Sequence, residues 1–149
     1  MEELFERIAS NTDRNVRYLV EASMIEIYNE RVRDLFSPHN PQNEAGLKVR
    51  DHPQTGPYVE KLSANVVTSY AQIQKLMDEG TASRTVAVTQ MNATSSRAHT
   101  MFQITLMSTT FDEMTQKSSS KKARVNLVDL AGLSCFQCLI GIIKVINLA

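Results

Sequence analysis

A dense run of hydrogen-bonding side chains lies at residues 92–99, in the sequence N-A-T-S-S-R-A-H. Its polar members are two amide or imidazole side chains, three hydroxyls and one guanidinium: Asn92, Thr94, Ser95, Ser96, Arg97 and His99. Short hydroxyls beside a guanidinium are suited to contact phosphate oxygens and the Mg²⁺ ion that accompanies them. Clusters of Ser, Thr and Asn also form ordinary turns, so this run alone does not establish a site.

A second segment whose residues could take part in chemistry is V-D-L-A-G at residues 128–132. Asp129 lies at the C-terminal end of a short apolar stretch, where a carboxylate can hold a water bound to Mg²⁺. Gly132 allows its backbone N–H to approach a phosphate closely. A strand that ends in Asp is common, so the segment is informative chiefly because it follows the first one.

Two helices are predicted to support these segments. Residues 2–9 place Leu4, Phe5 and Ile8 on one face. Residues 69–79 carry the spacing of a capping box, Ser69 with Gln72, and Gly80 favours a C-terminal stop.

The remaining pattern predicts strands at residues 16–28, 47–50, 59–67, 100–107 and 125–129. Residues 31–36 are predicted to form one helical turn, and residues 37–46 and 51–56 to form loops. Residues 108–122 are rich in Ser, Thr and Lys, which favours a solvated hairpin loop. The predicted fold class is α/β, with a mixed central sheet and flanking helices.

Composition narrows the function classes. The 149 residues carry zero formal net charge, which argues against a nucleic-acid binder. No apolar run is long enough for a secretory signal or a membrane span, so a soluble intracellular protein is expected. Cys135 and Cys138 form C-x-x-C, but no paired histidines accompany them, which favours reduced thiols over zinc or redox chemistry.

The two chemical segments together resemble the kinesin motor domain family. N-A-T-S-S-R-A-H is similar to the switch I signature N-x-x-S-S-R-S-H, and V-D-L-A-G is similar to the start of switch II, D-L-A-G-S-E. The segments M-I-E-I-Y-N-E-R-V-R-D-L-F and A-S-R-T-V-A-V-T-Q-M-N resemble the same family in the same order. L-K-V-R-D-H-P-Q-T-G-P-Y-V-E is most similar to the kinesin-three, organelle-transport subfamily.

The resemblance implies ATP and Mg²⁺ as cofactors and the microtubule as partner. It assigns nucleotide binding to Asn92, Ser95, Ser96, Asp129 and Gly132. Ser96 and Asp129 would contact Mg²⁺, the latter through water. Catalytic roles fall on Ser95, Ser96, Arg97 and Gly132, while Arg50 and His52 would touch the microtubule.

The sequence departs from the family in three places. None of the five glycines begins the P-loop motif G-x-x-x-x-G-K-[ST], which cradles phosphates in such enzymes. Ser134 stands where the family has the switch II glutamate that pairs with the position of Arg97. Residues 133–149 diverge, with a faint likeness to the end of the relay helix in I-K-V-I-N-L-A.

We therefore expect an incomplete kinesin-like P-loop NTPase sandwich without its central P-loop strand. Residues 1–132 form the partial motor domain, and residues 133–149 form an apolar tail. The expected outcome is a chain without ATPase or motility. The alternatives are a weak, nucleotide-independent tubulin-binding module and a product with no function of its own. The sequence contains nothing that indicates the cargo, the direction of movement or the oligomeric state.

Overall fold

The computed structural model describes residues 2–37, 46–91, 98–129 and 146–148. The elements in chain order are α1 (Glu2–Ala9), β1 (Val16–Tyr28), β2 (Arg31–Asp34), β3 (Val49–His52), β4 (Gly56–Val59), β5 (Asn65–Val66), α2 (Tyr70–Met91), β6 (His99–Asp112), β7 (Lys117–Asp129) and β8 (Ile146–Leu148). No helix in the described part is long and apolar enough to cross a membrane.

Strands β1, β6 and β7 form the centre of a sheet with the order β2-β1-β6-β7-β8, and β5 also pairs with β1. All described pairings are antiparallel. Strand β1 was predicted with its observed bounds, because V-x-A-x-M places apolar side chains on alternate positions. β3 and β4 form a separate two-stranded hairpin.

The core lies on one face of this sheet, beneath both helices. Register places Ala22 beside Ile104 and Met24 beside Phe102, and all four side chains are buried. Helix α2 adds Ile73 from above, and α1 adds Phe5 and Ile8 at the margin. A fully buried side chain of this size contributes about 1.5–3 kcal/mol, so this face is the main source of stability.

Helix α2 is longer than predicted. Ser69 begins it as expected, since its hydroxyl accepts a hydrogen bond from the Gln72 N–H at 3.3 Å. Gly80 does not end it, and the helix continues to Met91. Gly80 lies where α2 crosses β1, and a Cβ there would collide with the Met24 sulfur. The glycine therefore permits close packing of helix on strand, which sequence alone does not distinguish from a C-terminal stop.

The prediction of a hairpin loop at residues 108–122 is wrong. Strands β6 and β7 run through it in register to a tight turn at residues 113–116. Thr and Ser on the two strands pair across the sheet, as in the 3.1 Å contact between the Thr109 and Ser120 hydroxyls. Both faces of this end of the sheet are largely solvated. Polar residues therefore occupy both sides of the strands, and the sequence lacks the alternation that would predict a strand.

Three smaller predictions are also corrected. Residues 31–36 contain strand β2 rather than a helical turn, because Val32 and Asp34 are buried against β1 on alternate positions. Of the strand predicted at 59–67, only Val59 (the end of β4) and β5 at Asn65–Val66 are strand, and Lys61 between them has φ of +62°. The strand predicted at 47–50 is shifted to Val49–His52, and Leu47 forms only an isolated bridge with Val32.

The opposite face of the sheet is covered in part by the β3–β4 hairpin. Between them lies a cavity of about 320 Å³. Its polar lining includes Glu21, Ser23, Gln103, Thr105, Lys122 and Arg124. The guanidinium of Arg124 donates to the Pro57 carbonyl at 3.4 Å, which ties the hairpin to β7.

Candidate functional site

The predicted site residues divide between described and undescribed parts of the chain. Asn92, Ser95, Ser96, Arg97 and Gly132 lie outside the described residues. Helix α2 leads into residues 92–97 and strand β6 follows them. The described members are Asp129 at the sheet end, and Arg50 and His52 on the hairpin.

Asp129 is the last residue of β7, as predicted, and its side chain is 53% exposed. Its carboxylate lies 3.5 Å from the guanidinium of Arg84 on α2. The Arg84 guanidinium also lies 3.6 Å from the carboxylate of Glu26 on β1. One arginine therefore bridges two strand ends from the helix that leads to residues 92–97.

Glu26 is the buried centre of this arrangement, with a side chain only 5% exposed. A second guanidinium, that of Arg33 on β2, donates to it at 3.3 Å. The four groups carry two positive and two negative charges, so the cluster is electrically balanced. A buried carboxylate is tolerated when it is paired in this way. We call Glu26, Arg33, Arg84 and Asp129 the charged corner.

Thr100 occupies the same row of the sheet as the two carboxylates. Register pairs it with Glu26 on one side and with Asp129 on the other. Its hydroxyl is buried and makes no hydrogen bond in the described part of the chain. An unsatisfied buried hydroxyl is uncommon in folded proteins.

One member of the charged corner, Asp129, is a residue that the resemblance assigns to the cofactor site. A carboxylate oxygen at a strand end suits a water-mediated contact with Mg²⁺, and Asp129 supplies one. Within the described ranges, no group of three or more His, Cys, Asp or Glu side chains could hold a metal ion directly.

The β3–β4 hairpin presents the second set of predicted residues. Register pairs Arg50 with Tyr58 and His52 with Gly56, and all four residues of β3 are exposed. Arg50 donates to Glu60 at 3.1 Å, and both side chains are well exposed. His52 uses its ring within the hairpin, because Nδ1 accepts hydrogen bonds from the backbone N–H groups of Gln54 and Thr55.

Sequence reasoning missed Glu26, Arg33, Arg84 and Glu60. A signal for Glu26 was present, since the alternation of Val20, Ala22 and Met24 continues onto it and places it on the core face. Arg84 had no such signal, because it follows the glycine at which the helix was predicted to end.

Comparison with known proteins gives the family. A family model described as the kinesin motor domain matches residues 1–137. Kinesin-like protein KIF1B of Homo sapiens is 52% identical over 131 residues, covering 88% of this chain and 7% of that protein. Kinesin-like protein KIF1A of Rattus norvegicus is also 52% identical over 131 residues, with 88% and 8% covered. The chain thus spans less than a tenth of these relatives.

Solved structures agree with the sequence matches. The structure of a fast kinesin aligns with a TM-score of 0.73 at 37% identity, covering 91% of this chain and 36% of that one. A KIF14 dimer with AMP-PNP in complex with a microtubule aligns with a TM-score of 0.70 at 41% identity, covering 88% and 37%. The predicted α/β fold class and the predicted resemblance are confirmed. The chain belongs to the kinesin motor domain family.

Proposed function

We propose that this chain is the switch-bearing part of an ATP-driven microtubule motor domain, associated with the cytoskeleton. The charged corner is the observation that supports this most directly. Arg84 joins the helix that precedes residues 92–97 to the carboxylate that precedes residues 130–132. A motor needs its two nucleotide-facing segments to move together. An ion pair between the elements that precede them would couple their positions.

The roles of the individual residues follow from the resemblance. Ser96 would hold Mg²⁺ through its hydroxyl, and Asp129 would hold a water on the same ion. Asn92, Ser95 and the Gly132 N–H would contact the nucleotide, and Arg97 would help to close the site. Mg²⁺, when bound, neutralises charge on the transferred phosphoryl group. The protein groups then serve to position phosphate oxygens and to keep Asp129 oriented.

We further propose that the 149-residue chain neither hydrolyses ATP nor moves. Its sequence contains no P-loop motif, so it lacks the backbone cradle, the lysine and the Mg²⁺-binding hydroxyl of that loop. Ser134 cannot replace a glutamate as the charged partner of Arg97. Electrostatic stabilisation from these groups is most of what such an active site contributes.

Titration calorimetry with Mg-ATP tests this proposal. We expect a Kd no tighter than roughly 1 mM, which corresponds to about 4 kcal/mol of binding free energy. Residual binding should weaken in Asp129→Asn and persist in Asp112→Asn, a matched carboxylate at the far end of β6. Micromolar affinity would contradict the proposal.

A second candidate function is nucleotide-independent tubulin binding by the β3–β4 hairpin. Its support is the exposure of β3, whose four residues are all exposed. The Arg50 side chain is 53% exposed, and His52 lies two residues further along. Co-sedimentation with microtubules at increasing salt tests it, because contacts between exposed charges weaken with ionic strength. Binding should fall in Arg50→Ala and remain in Arg7→Ala, whose ion pair with Glu3 is also exposed. Absence of pelleting at low salt would exclude this function.

A further inference from the structure

The tip of the β3–β4 hairpin is held by one titratable side chain. His52 is the last residue of β3, and Pro53 after it favours an extended backbone at His52. The ring nitrogen Nδ1 accepts hydrogen bonds from the Gln54 N–H at 3.2 Å and the Thr55 N–H at 3.3 Å. Both amides of the turn thus point at one nitrogen lone pair.

This arrangement exists only for a neutral imidazole. An unprotonated ring nitrogen accepts a hydrogen bond, whereas both nitrogens of a protonated histidine carry hydrogen and only donate. Protonation at Nδ1 would direct a positively charged N–H at two further N–H groups. The two hydrogen bonds would be replaced by repulsion, and the three groups would separate.

Register and alternation identify the groups that surround His52 on the hairpin. Its partner in register is Gly56, which has no side chain. On the same face, Arg50 and Glu60 are already paired with each other. Asp51 falls on the other face by alternation, and the cavity beneath the hairpin has Glu21, Lys122 and Arg124 as its charged lining. A Cβ built on Gly56 would meet nothing within 4 Å, so the tip has room to open.

We propose that the tip of the β3–β4 hairpin is a pH-sensitive element, closed when His52 is neutral and open when His52 is protonated. Opening releases residues 53–55 and leaves the base of the hairpin in place. The base is held separately, by the Arg50–Glu60 ion pair and by the hydrogen bond from the Glu60 N–H to the Lys48 carbonyl. This inference concerns the hairpin alone and stands whether or not the chain binds tubulin or nucleotide.

The direction of the effect follows from the proton balance. The closed tip binds one proton fewer than the open tip, so closure is favoured at high pH and lost as the pH falls. Histidine is the side chain whose charge most often changes near neutral pH, so a titration from pH 8 downwards is the appropriate test. A one-proton transition changes the ratio of open to closed tips by at most about tenfold per pH unit.

The chain contains an internal control at the β6–β7 turn. Asp112 Oδ1 accepts hydrogen bonds from the Met114 and Thr115 N–H groups at 2.9 and 3.3 Å, the same spacing as at His52. The hydrogen bond from the Thr115 hydroxyl has the largest influence on the Asp112 carboxyl. Together with the two backbone N–H groups, it holds the pKa of that carboxyl below its usual range. The Asp112 turn should therefore stay closed throughout the range in which the His52 turn opens.

The test is a pH titration of amide NMR spectra of the whole 149-residue chain, from pH 8 to pH 5. We expect the Gln54 and Thr55 amides to shift together with the His52 ring signals. The Met114 and Thr115 amides should remain fixed. Hydrogen exchange measured by mass spectrometry over residues 52–56 gives a second readout, in which protection is lost as the pH falls after correction for intrinsic rates.

Two variants complete the experiment. His52→Asn retains an acceptor oxygen that does not titrate, so its turn should stay closed over the whole range. His52→Ala has no acceptor and should be open at pH 8. Equal pH-dependent shifts in wild type and His52→Asn would overturn the proposal. So would Gln54 and Thr55 amides, or their exchange protection, that do not change while the His52 ring becomes protonated.

Discussion

The charged corner and the β3–β4 hairpin both join arginine to glutamate, but they differ in burial. Glu26 at the corner is 5% exposed, whereas Glu60 on the hairpin is 40% exposed. Water and salt screen the hairpin pair, while the corner pair lies largely in the protein interior. The same residue types should therefore contribute very different amounts to stability, and the corner should be the one that fixes the fold.

The largest expected effect is at Glu26. Glu26→Gln keeps the shape of the side chain but leaves Arg33 and Arg84 without their buried counter-charge. We expect the free energy of unfolding to fall by about 3 kcal/mol, at the low end for a broken buried pair because both arginines reach solvent. Urea denaturation measures this as a lower midpoint with an unchanged slope.

The control for Glu26 is Glu3→Gln, which breaks the exposed Glu3–Arg7 pair on α1. That pair spans one helical turn and should contribute no more than about 0.5 kcal/mol. Adding Arg33→Met to Glu26→Gln should recover part of the loss, because among the described residues Arg33 pairs with Glu26, whereas Arg84 also contacts Asp129. Equal midpoints for Glu26→Gln and Glu3→Gln would contradict the difference between the two regions.

A smaller effect of opposite sign is expected at Thr100. Its buried hydroxyl has no partner in the described part of the chain, so Thr100→Val removes an unsatisfied polar group at nearly constant volume. We expect the free energy of unfolding to rise by about 1 kcal/mol. Thermal denaturation followed by circular dichroism measures it. A clear loss of stability would show instead that the hydroxyl makes a bond that holds the corner together.

Individual elements show which parts of the fold could be predicted from the sequence. Strand β1 was predictable because its core side carries Val20, Ala22 and Met24 in strict alternation. The distal halves of β6 and β7 were not, because Ser, Thr and Lys face solvent on both sides and leave no alternation to detect. The continuation of α2 past Gly80 depended on contact with Met24, a residue 56 positions earlier in the chain.

The candidate site was predictable in part for the same reason. Asp129 follows a short apolar stretch, and its place at the strand end was correctly expected. Its partner Arg84 could not be found, because the two meet only through the packing of α2 on the sheet. The roles of Asn92, Ser95, Ser96, Arg97 and Gly132 remain predictions from resemblance.

The hairpin pair should show a still smaller effect on stability. Arg50→Ala removes an exposed ion pair with Glu60, and we expect the free energy of unfolding to change by less than about 1 kcal/mol. Urea denaturation at low and at high salt measures it, and the small difference from wild type should shrink as salt is added. A change as large as that of Glu26→Gln would mean that the hairpin, too, is part of the structural core.

The smallest and most local effect is expected at the β6–β7 turn, where Asp112 repeats the geometry of His52 with a carboxylate. Because folding lowers the pKa of Asp112, its stabilising contribution is present above the unfolded-state pKa and is lost as the pH falls through the folded value. The turn should therefore open only in acid below the usual carboxyl range. Amide NMR at Met114 and Thr115 would show it, and Asp112→Asn should abolish the transition.

His52 and Asp112 accept the hydrogen bonds of the two turns, and we call them the capping residues. Exchanging them is the most direct test of the comparison between the turns. In Asp112→His the Met114 and Thr115 amides should acquire the pH response of Gln54 and Thr55, because the acceptor becomes an imidazole nitrogen. In His52→Asp the response of Gln54 and Thr55 should move into the acid range. A response that stays with the turn when the capping residue changes would show that backbone context, and not the identity of the acceptor, sets the pH at which each tip opens.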